Sequence, residues 1–183
     1  MGHVLWARAL ARKLLQEPLP RRWAHTQGVA GQAETLAGVL GEDADLVVAA
    51  AWLHDIGYSP ALAVTGFHPL DGARYLRRVK QADERLCALV AHHSGAVVEA
   101  EERGLAAELT GEFGFPRPDL LEALTYCDMT TGPDGTHLPV EQRLAEILTR
   151  YEPGHIVHRS ITRSSPELVK AVRAVEDRLN ALG

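Results

Sequence analysis

The chain has 183 residues, enough for one domain with a substantial core, and is 46% hydrophobic. No apolar run reaches the length of a bilayer-crossing helix, which argues against a membrane span. The net charge is −5, with no basic cluster longer than Arg21-Arg22 or Arg77-Arg78-Val79-Lys80, so nucleic acid is not expected as a main partner. That balance still admits a small phosphorylated substrate, including a nucleotide. The opening residues, Met1-Gly2-His3-Val4-Leu5-Trp6, lack a basic stretch followed by an apolar one, so no signal peptide is expected. Cys87 and Cys127 both lie in apolar helical patterns and read as small core residues, consistent with a cytoplasmic protein.

Nearly every segment reads as helix. The first runs from about Val4 to Gln16 and stops at Glu17-Pro18-Leu19-Pro20. The second enters through Pro20 and continues to about Leu40, before Gly41. Within it His25, Val29, Ala33, Leu36 and Leu40 recur at steps of three and four, so His25 shares the core-facing stripe. The third is small or apolar at nearly every position from Asp45 to Leu53, the pattern of a helix buried on most of its circumference. It ends in His54-Asp55-Ile56-Gly57. An ionisable pair buried at such a place is costly unless it finds a partner, and imidazole with carboxylate is a good ligand set for a transition metal. Backbone capping would satisfy the same pair.

Gly66-Phe67-His68-Pro69-Leu70 opens a fourth helix through about Lys80, and a residue before proline belongs at a helix entry rather than inside one. A fifth, from about Asp83, carries Leu86, Leu89 and Val90 on one face and ends in His92-His93-Ser94-Gly95. A sixth is expected through Glu99 to Leu109. After the loop 111–118 a seventh places Leu121, Leu124 and Asp128 at three- and four-residue steps, with the carboxylate at the foot of the stripe. Residues 130–135 are a turn-rich break. Two helices follow, about Val140 to Tyr151 and about Glu167 to Leu182, the last with Ser165 as N-cap and Pro166 at its first position. The segment 154–160 reads as packing rather than as a lid. No strand-period segment or internal repeat is present, and the expected class is all-α.

His25, His54, Asp55, His68, His92 or His93, and Asp128 thus come from different helices, each at a helix end or on an apolar stripe. Singly each has a bland explanation; together they point to one centre. In this order the residues resemble the HD-domain superfamily of metal-dependent phosphohydrolases, whose pattern is a lone His, an HD pair, two further His and a distant Asp. His25, His54-Asp55 and Asp128 match the core pattern, His68 and His92 the two additional positions, and Ile56-Gly57 extends the pair to a common form of the motif. The resemblance covers about residues 23–135, with 139–183 as a helical extension of a single domain. It implies a helical bundle around a metal site.

The resemblance further implies a hydrolase using a metal-activated water. Four groups could hold one divalent ion, and His68 and His92 a second, with Asp55 as bridge; Mn, Fe, Ni or Zn suit such imidazole-rich donors. Helical phase favours His93 over His92 on the Leu86-Leu89-Val90 stripe, whereas the resemblance favours His92, which is taken as the ligand with His93 behind it. Ser94-Gly95-Ala96 after the paired histidines, and Thr131 three residues past Asp128, depart from the HD-GYP phosphodiesterases of cyclic di-GMP. Candidate phosphate contacts are Arg21, Arg22, Arg74 and Arg117, with Thr130 and Thr131. Two other classes stay open: HD-type di-iron oxygenases, which share the six-ligand order, and non-catalytic ligand sensors, which an incomplete ligand set would favour.

Overall fold

The structure, a computed structural model, describes residues 2–182. Its helices are α1 (Gly2–Leu15), α2 (Pro20–Thr35), α3 (Ala37–Leu40), α4 (Ala44–Leu53), α5 (His68–Arg78), α6 (Glu84–His92), α7 (Ala96–Arg103), α8 (Ala106–Glu112), α9 (Pro118–Met129), α10 (Val140–Thr149) and α11 (Ile156–Asn180). No strand occurs among the described residues; the one extended pairing is an isolated bridge between Thr131 and His137. The fold is the expected all-α bundle. No described helix is long and apolar enough to cross a membrane.

The bundle is built around α4. Every residue from Val47 to Leu53 is buried, so this helix has no face for solvent and must be covered on all sides. α1, α2, α6 and α9 supply that cover. The continuation of α4 therefore delivers His54 and Asp55 into the interior rather than to the surface. α2 and α9 bury stripes of the same kind, with His25 beside Val29 and Ala33, and Asp128 after Leu124 and Cys127.

Helix limits follow local chemistry, with three departures from the sequence reading. Leu36, with φ −86° and ψ 4°, breaks the second expected helix into α2 and α3. Gly104, with φ +72°, divides the sixth into α7 and α8; glycine reaches this left-handed region without steric cost. The largest departure is α11, which begins at Ile156 instead of Glu167 and carries Pro166 inside it. Pro166 removes one backbone donor. Ser164 Oγ donates to Ser160 O at 2.8 Å and Ser165 Oγ to Ile161 O at 2.6 Å, so side chains keep the preceding turn hydrogen-bonded. Ser165 thus supports the turn before the proline and caps nothing, while His155 Nδ1 caps the helix by accepting from Val157 N at 3.1 Å. Packing of α11 on α9 and α7 outweighs the local cost. Segment 154–160, read as packing, puts Val157 against the central cavity. Cys87 and Cys127 are buried free thiols.

Candidate metal centre

Two helix ends present histidines by the same local device. His54 follows the last turn of α4, and its Nδ1–H donates to Ala51 O, three residues back, at 2.7 Å. His93 follows the last turn of α6, and its Nδ1–H donates to Val90 O, again three residues back, at 2.7 Å. In each ring the bond occupies Nδ1 and leaves Nε2 with its lone pair directed away from the helix. His25 is set the same way by a distant carbonyl, with Nδ1–H donating to Gly132 O at 3.0 Å. The turn bearing that carbonyl lies hard against α2. A Cβ on Gly28 would stand 2.4 Å from Gly135 O, and one on Gly135 would stand 2.4 Å from Ala24 O. Only glycine permits this approach.

His68 is the first residue of α5, and the backbone of the motif glycine brings it to the centre. A Cβ on Gly57 would lie 2.0 Å from the His68 carbonyl oxygen and 2.8 Å from Gly72 N. Gly57 therefore acts by absence, allowing the chain after the HD pair to press against the start of α5. Tyr58 then stacks on the His68 ring with centroids 3.9 Å apart, and the Arg22 guanidinium lies 3.6 Å from the opposite Tyr58 face.

These side chains form two abutting groups of donors. His25, His54 and Asp128 offer atoms all within 4.8 Å of one another, and so do Asp55, His68 and His93. Asp55 faces both groups. Its Oδ1 is 3.4 Å from His68 Nε2, while its Oδ2 is 3.3 Å from His54 Nε2 and 3.9 Å from His25 Nε2. Asp128 Oδ1 lies 3.0 Å from His25 Nε2, and Asp128 Oδ2 accepts from Ser94 Oγ at 2.5 Å. Arg22 Nη1 pairs with Asp55 Oδ2.

The donor set fits a metal ion on an observation of its own. His54 Nε2 is buried and has no hydrogen-bond partner among the described residues; the nearby Asp55 oxygen is off the line of a bond. An orphaned nitrogen between two carboxylates is costly unless a proton or a metal cation takes its lone pair. Each group could hold one ion, the first through His25, His54 and Asp128, the second through Asp55, His68 and His93.

The charges agree with that arrangement. Burial pushes the Asp55 and Asp128 carboxyls up, but Arg22 and His54 hold Asp55 well below the carboxylate range, and His25 and His54 do the same for Asp128. Burial also disfavours a charge on His54, yet the adjacent Asp55 outweighs it and raises that imidazole to about 9. Burial lowers His68 and His93, the latter with help from His54. Both carboxylates are thus ionised and His68 and His93 neutral, the forms that ligate, whereas His54 holds a proton in the metal-free protein that an ion at Nε2 would have to displace.

Of the expected residues, His25, His54, Asp55, His68 and Asp128 come together and His92 does not. Its Nε2–H donates to Phe113 O at 2.9 Å, and its ring stacks on Phe115 with centroids 4.6 Å apart. α6 turns His92 toward the loop after α8, and His93, one residue on, takes the central position; helical phase is the better guide here. Arg74 is also away from the centre, bound to Glu112 and, at 2.6 Å, to Glu108. Thr131 Oγ1 donates to Cys127 O at 2.7 Å and Thr130 Oγ1 to Tyr126 O at 2.7 Å, so both hydroxyls are spent on their own helix. Arg117 pairs with Asp43 and Asp119 at the surface. Arg21 and Arg22 do line the central cavity, a space of about 400 Å³. Sequence reasoning missed the wall facing them, where α10 and the start of α11 bring Arg143, Ile147, Arg150, Tyr151 and Val157. Arg143 stands three residues after Val140 and four before Ile147, a phase that marked it as inward-facing.

A helical bundle with histidines and aspartates converging at its centre defines a metal-site protein of the HD kind. Residues 22–152 match the HD domain family, and the chain belongs to it, within the HD superfamily of metal-dependent phosphohydrolases. The match runs past the expected limit near residue 135 and takes in α10. Among curated proteins the chain is similar to Ribonuclease Y of Rhodopirellula baltica, 40% identical over 75 residues, which are 41% of this chain and 14% of that protein. It is similar to Ribonuclease Y of Thermobifida fusca, 38% identical over 87 residues, 48% of this chain and 17% of that one. It also resembles a tRNA (cytidine(56)-2'-O)-methyltransferase of Thermoplasma volcanium, 37% identical over 78 residues, 43% of this chain and 22% of that one. The aligned segments span less than a quarter of these relatives' length. No solved structure matches.

Proposed function

We propose that the chain hydrolyses a phosphate ester of a small metabolite or nucleotide. The observation that carries this reading is the position of Asp55, with one carboxylate oxygen toward the His68 and His93 group and the other toward the His25 and His54 group. A carboxylate so placed is suited to bridge two ions. Ions bound there would supply an activated water and offset charge on the phosphoryl group.

The protein's own residues do the rest. His25, His54 and His93 are held with Nε2 inward by backbone carbonyls, so their rings need no reordering on binding. Ser94 and His25 fix both oxygens of Asp128. Arg22 neutralises Asp55 and, through Tyr58, steadies the His68 ring. The cavity, walled in part by α10 and the start of α11, has a volume of about 400 Å³, which supports a small substrate. The relatives named Ribonuclease Y support cleavage of a phosphoester bond, and with so little of their length shared, RNA itself is left to the test.

The test is metal analysis of the purified protein followed by a hydrolysis screen with Mn or Co. Nucleotides, phosphate monoesters and a short RNA oligomer would be compared. Metal-dependent release of phosphate from a small ester, lost on chelation, is expected. Iron-dependent O₂ consumption without hydrolysis would replace this reading with the oxygenase one, and metal binding with neither activity would make the chain a sensor.

A further inference from the structure

Arg143 lies on the buried side of α10, with only 6% of its surface exposed. A guanidinium does not give up its proton in proteins, so its charge has been taken out of water intact and requires anions. One is at hand: Nη1 meets Glu146 Oε2 at 2.5 Å. That carboxylate is shared, because Arg150 Nε lies 3.0 Å from Glu146 Oε1. Two cations therefore share Glu146 on this wall of the cavity, with Asp128 of the same lining near enough to Arg143 for their charges to interact. Glu99, another acid of the lining, is engaged by Arg103 at 2.7 Å.

One donor is left over. Arg143 Nε is buried and has no hydrogen-bond partner among the described residues. With Nη1 taken by Glu146, the edge formed by Nε and Nη2 remains, and that edge presents two parallel N–H groups matched to two oxygens of a phosphate. Arg143 and Arg150 line the same cavity as Asp55 and Asp128, so an anion reaching this edge, once a shift of the side chain uncovers Nε, would share the cavity with the metal centre.

We propose that Arg143, supported by Arg150, is the residue that binds the substrate's phosphate, receiving two of its oxygens on the Nε–Nη2 edge while Glu146 holds the guanidinium in place. The proposal rests on the hydrolase reading for the identity of the ligand, but the subsite itself is defined without it. It makes the α10 wall the element that selects a phosphate over a neutral group of the same size.

Binding of inorganic phosphate to the metal-loaded chain, followed by calorimetry, tests the subsite directly, and KM for a generic phosphate ester tests it in turnover. Arg143→Gln should weaken phosphate binding about tenfold or more and raise KM alike, with metal content unchanged. Arg143→Lys should recover only part of the loss, since an ammonium lacks the fork. Unchanged phosphate affinity in a folded Arg143→Gln protein overturns the proposal. If that variant does not fold, Arg150→Gln at the more exposed supporting arginine decides: phosphate binding should weaken by about threefold or more. Equal or tighter binding overturns it. The two readings fail separately. Arg143-dependent phosphate binding without ester hydrolysis removes the hydrolase and keeps the subsite, whereas hydrolysis indifferent to Arg143 does the reverse.

Discussion

Ser94 donates its hydroxyl proton to Asp128 Oδ2 across 2.5 Å from a backbone in the left-handed region, φ 48° and ψ 47°. A non-glycine residue there carries a steric cost of about 1–2 kcal/mol, and it persists where surrounding structure over-determines it. Here the distortion turns the chain sharply after His93 and aims the hydroxyl at a carboxylate of the candidate centre. Ser94→Ala keeps the strain and loses the bond; Ser94→Gly loses both. The glycine variant should be the more stable of the two by about 1 kcal/mol in chemical denaturation. Both should hold metal about ten- to a hundredfold more weakly in chelator competition, the usual effect of removing a group that orients a ligand. Equal metal affinity in all three proteins would show that Ser94 only shapes the turn.

The adjacent histidines give a sharper contrast. His93→Ala should lower metal content by about one ion per chain and slow hydrolysis strongly, because its Nε2 belongs to the Asp55 and His68 group. His92→Ala should leave the ions in place and cost stability, about 1–3 kcal/mol, because Phe113 O loses its donor inside the protein. Elemental analysis and thermal melts on the two variants separate the cases, and metal loss in His92→Ala would reverse the assignment.

His68→Ala should leave about one metal per chain, with the fold intact. Turnover should fall about a hundredfold or more, since a second ion acts directly on charge at the reacting phosphate. Tyr58 and Arg22 lose their stacking partner but keep each other. Unchanged metal content in this variant would leave a single-ion site.

Asp55→Ala should remove activity and both ions together. It also leaves the partly buried Arg22 and the fully buried His54 without their carboxylate, so a lower Tm is expected even in metal-free buffer. Metal-free melts of wild type and variant read that second effect alone, and a matching Tm would mean that the pair contributes nothing to the fold.

The legible parts of this protein were those set by periodicity and by helix ends. α4 shows as a helix with no polar face, and a helix of that kind has to be central. His25 and Asp128 show as polar members of apolar stripes, His54 and His68 as residues at helix limits. The choice between His92 and His93 set a resemblance against helical phase; it is His93, on the Leu86, Leu89 and Val90 stripe, that stands beside Asp55 and His68. Ser94 was out of reach, since nothing in a Ser-Gly pair states that the serine takes the left-handed conformation. Arg143 was in phase with Val140 and Ile147, but one arginine on a short amphipathic helix reads first as a residue extending its charge into water. Its fate depends on α11 closing over it, and α11 starts ten residues before its proline, where local rules place no start.

Gly57 gives the motif a use beyond this chain. Its Cα hydrogen is the spacer between the segment that follows the HD pair and the segment that opens with His68. A relative with alanine or serine at that position cannot keep α5 where it is here, and its counterpart of His68 must recede with the helix. One letter of sequence then reports whether the two halves of such a centre can stand together.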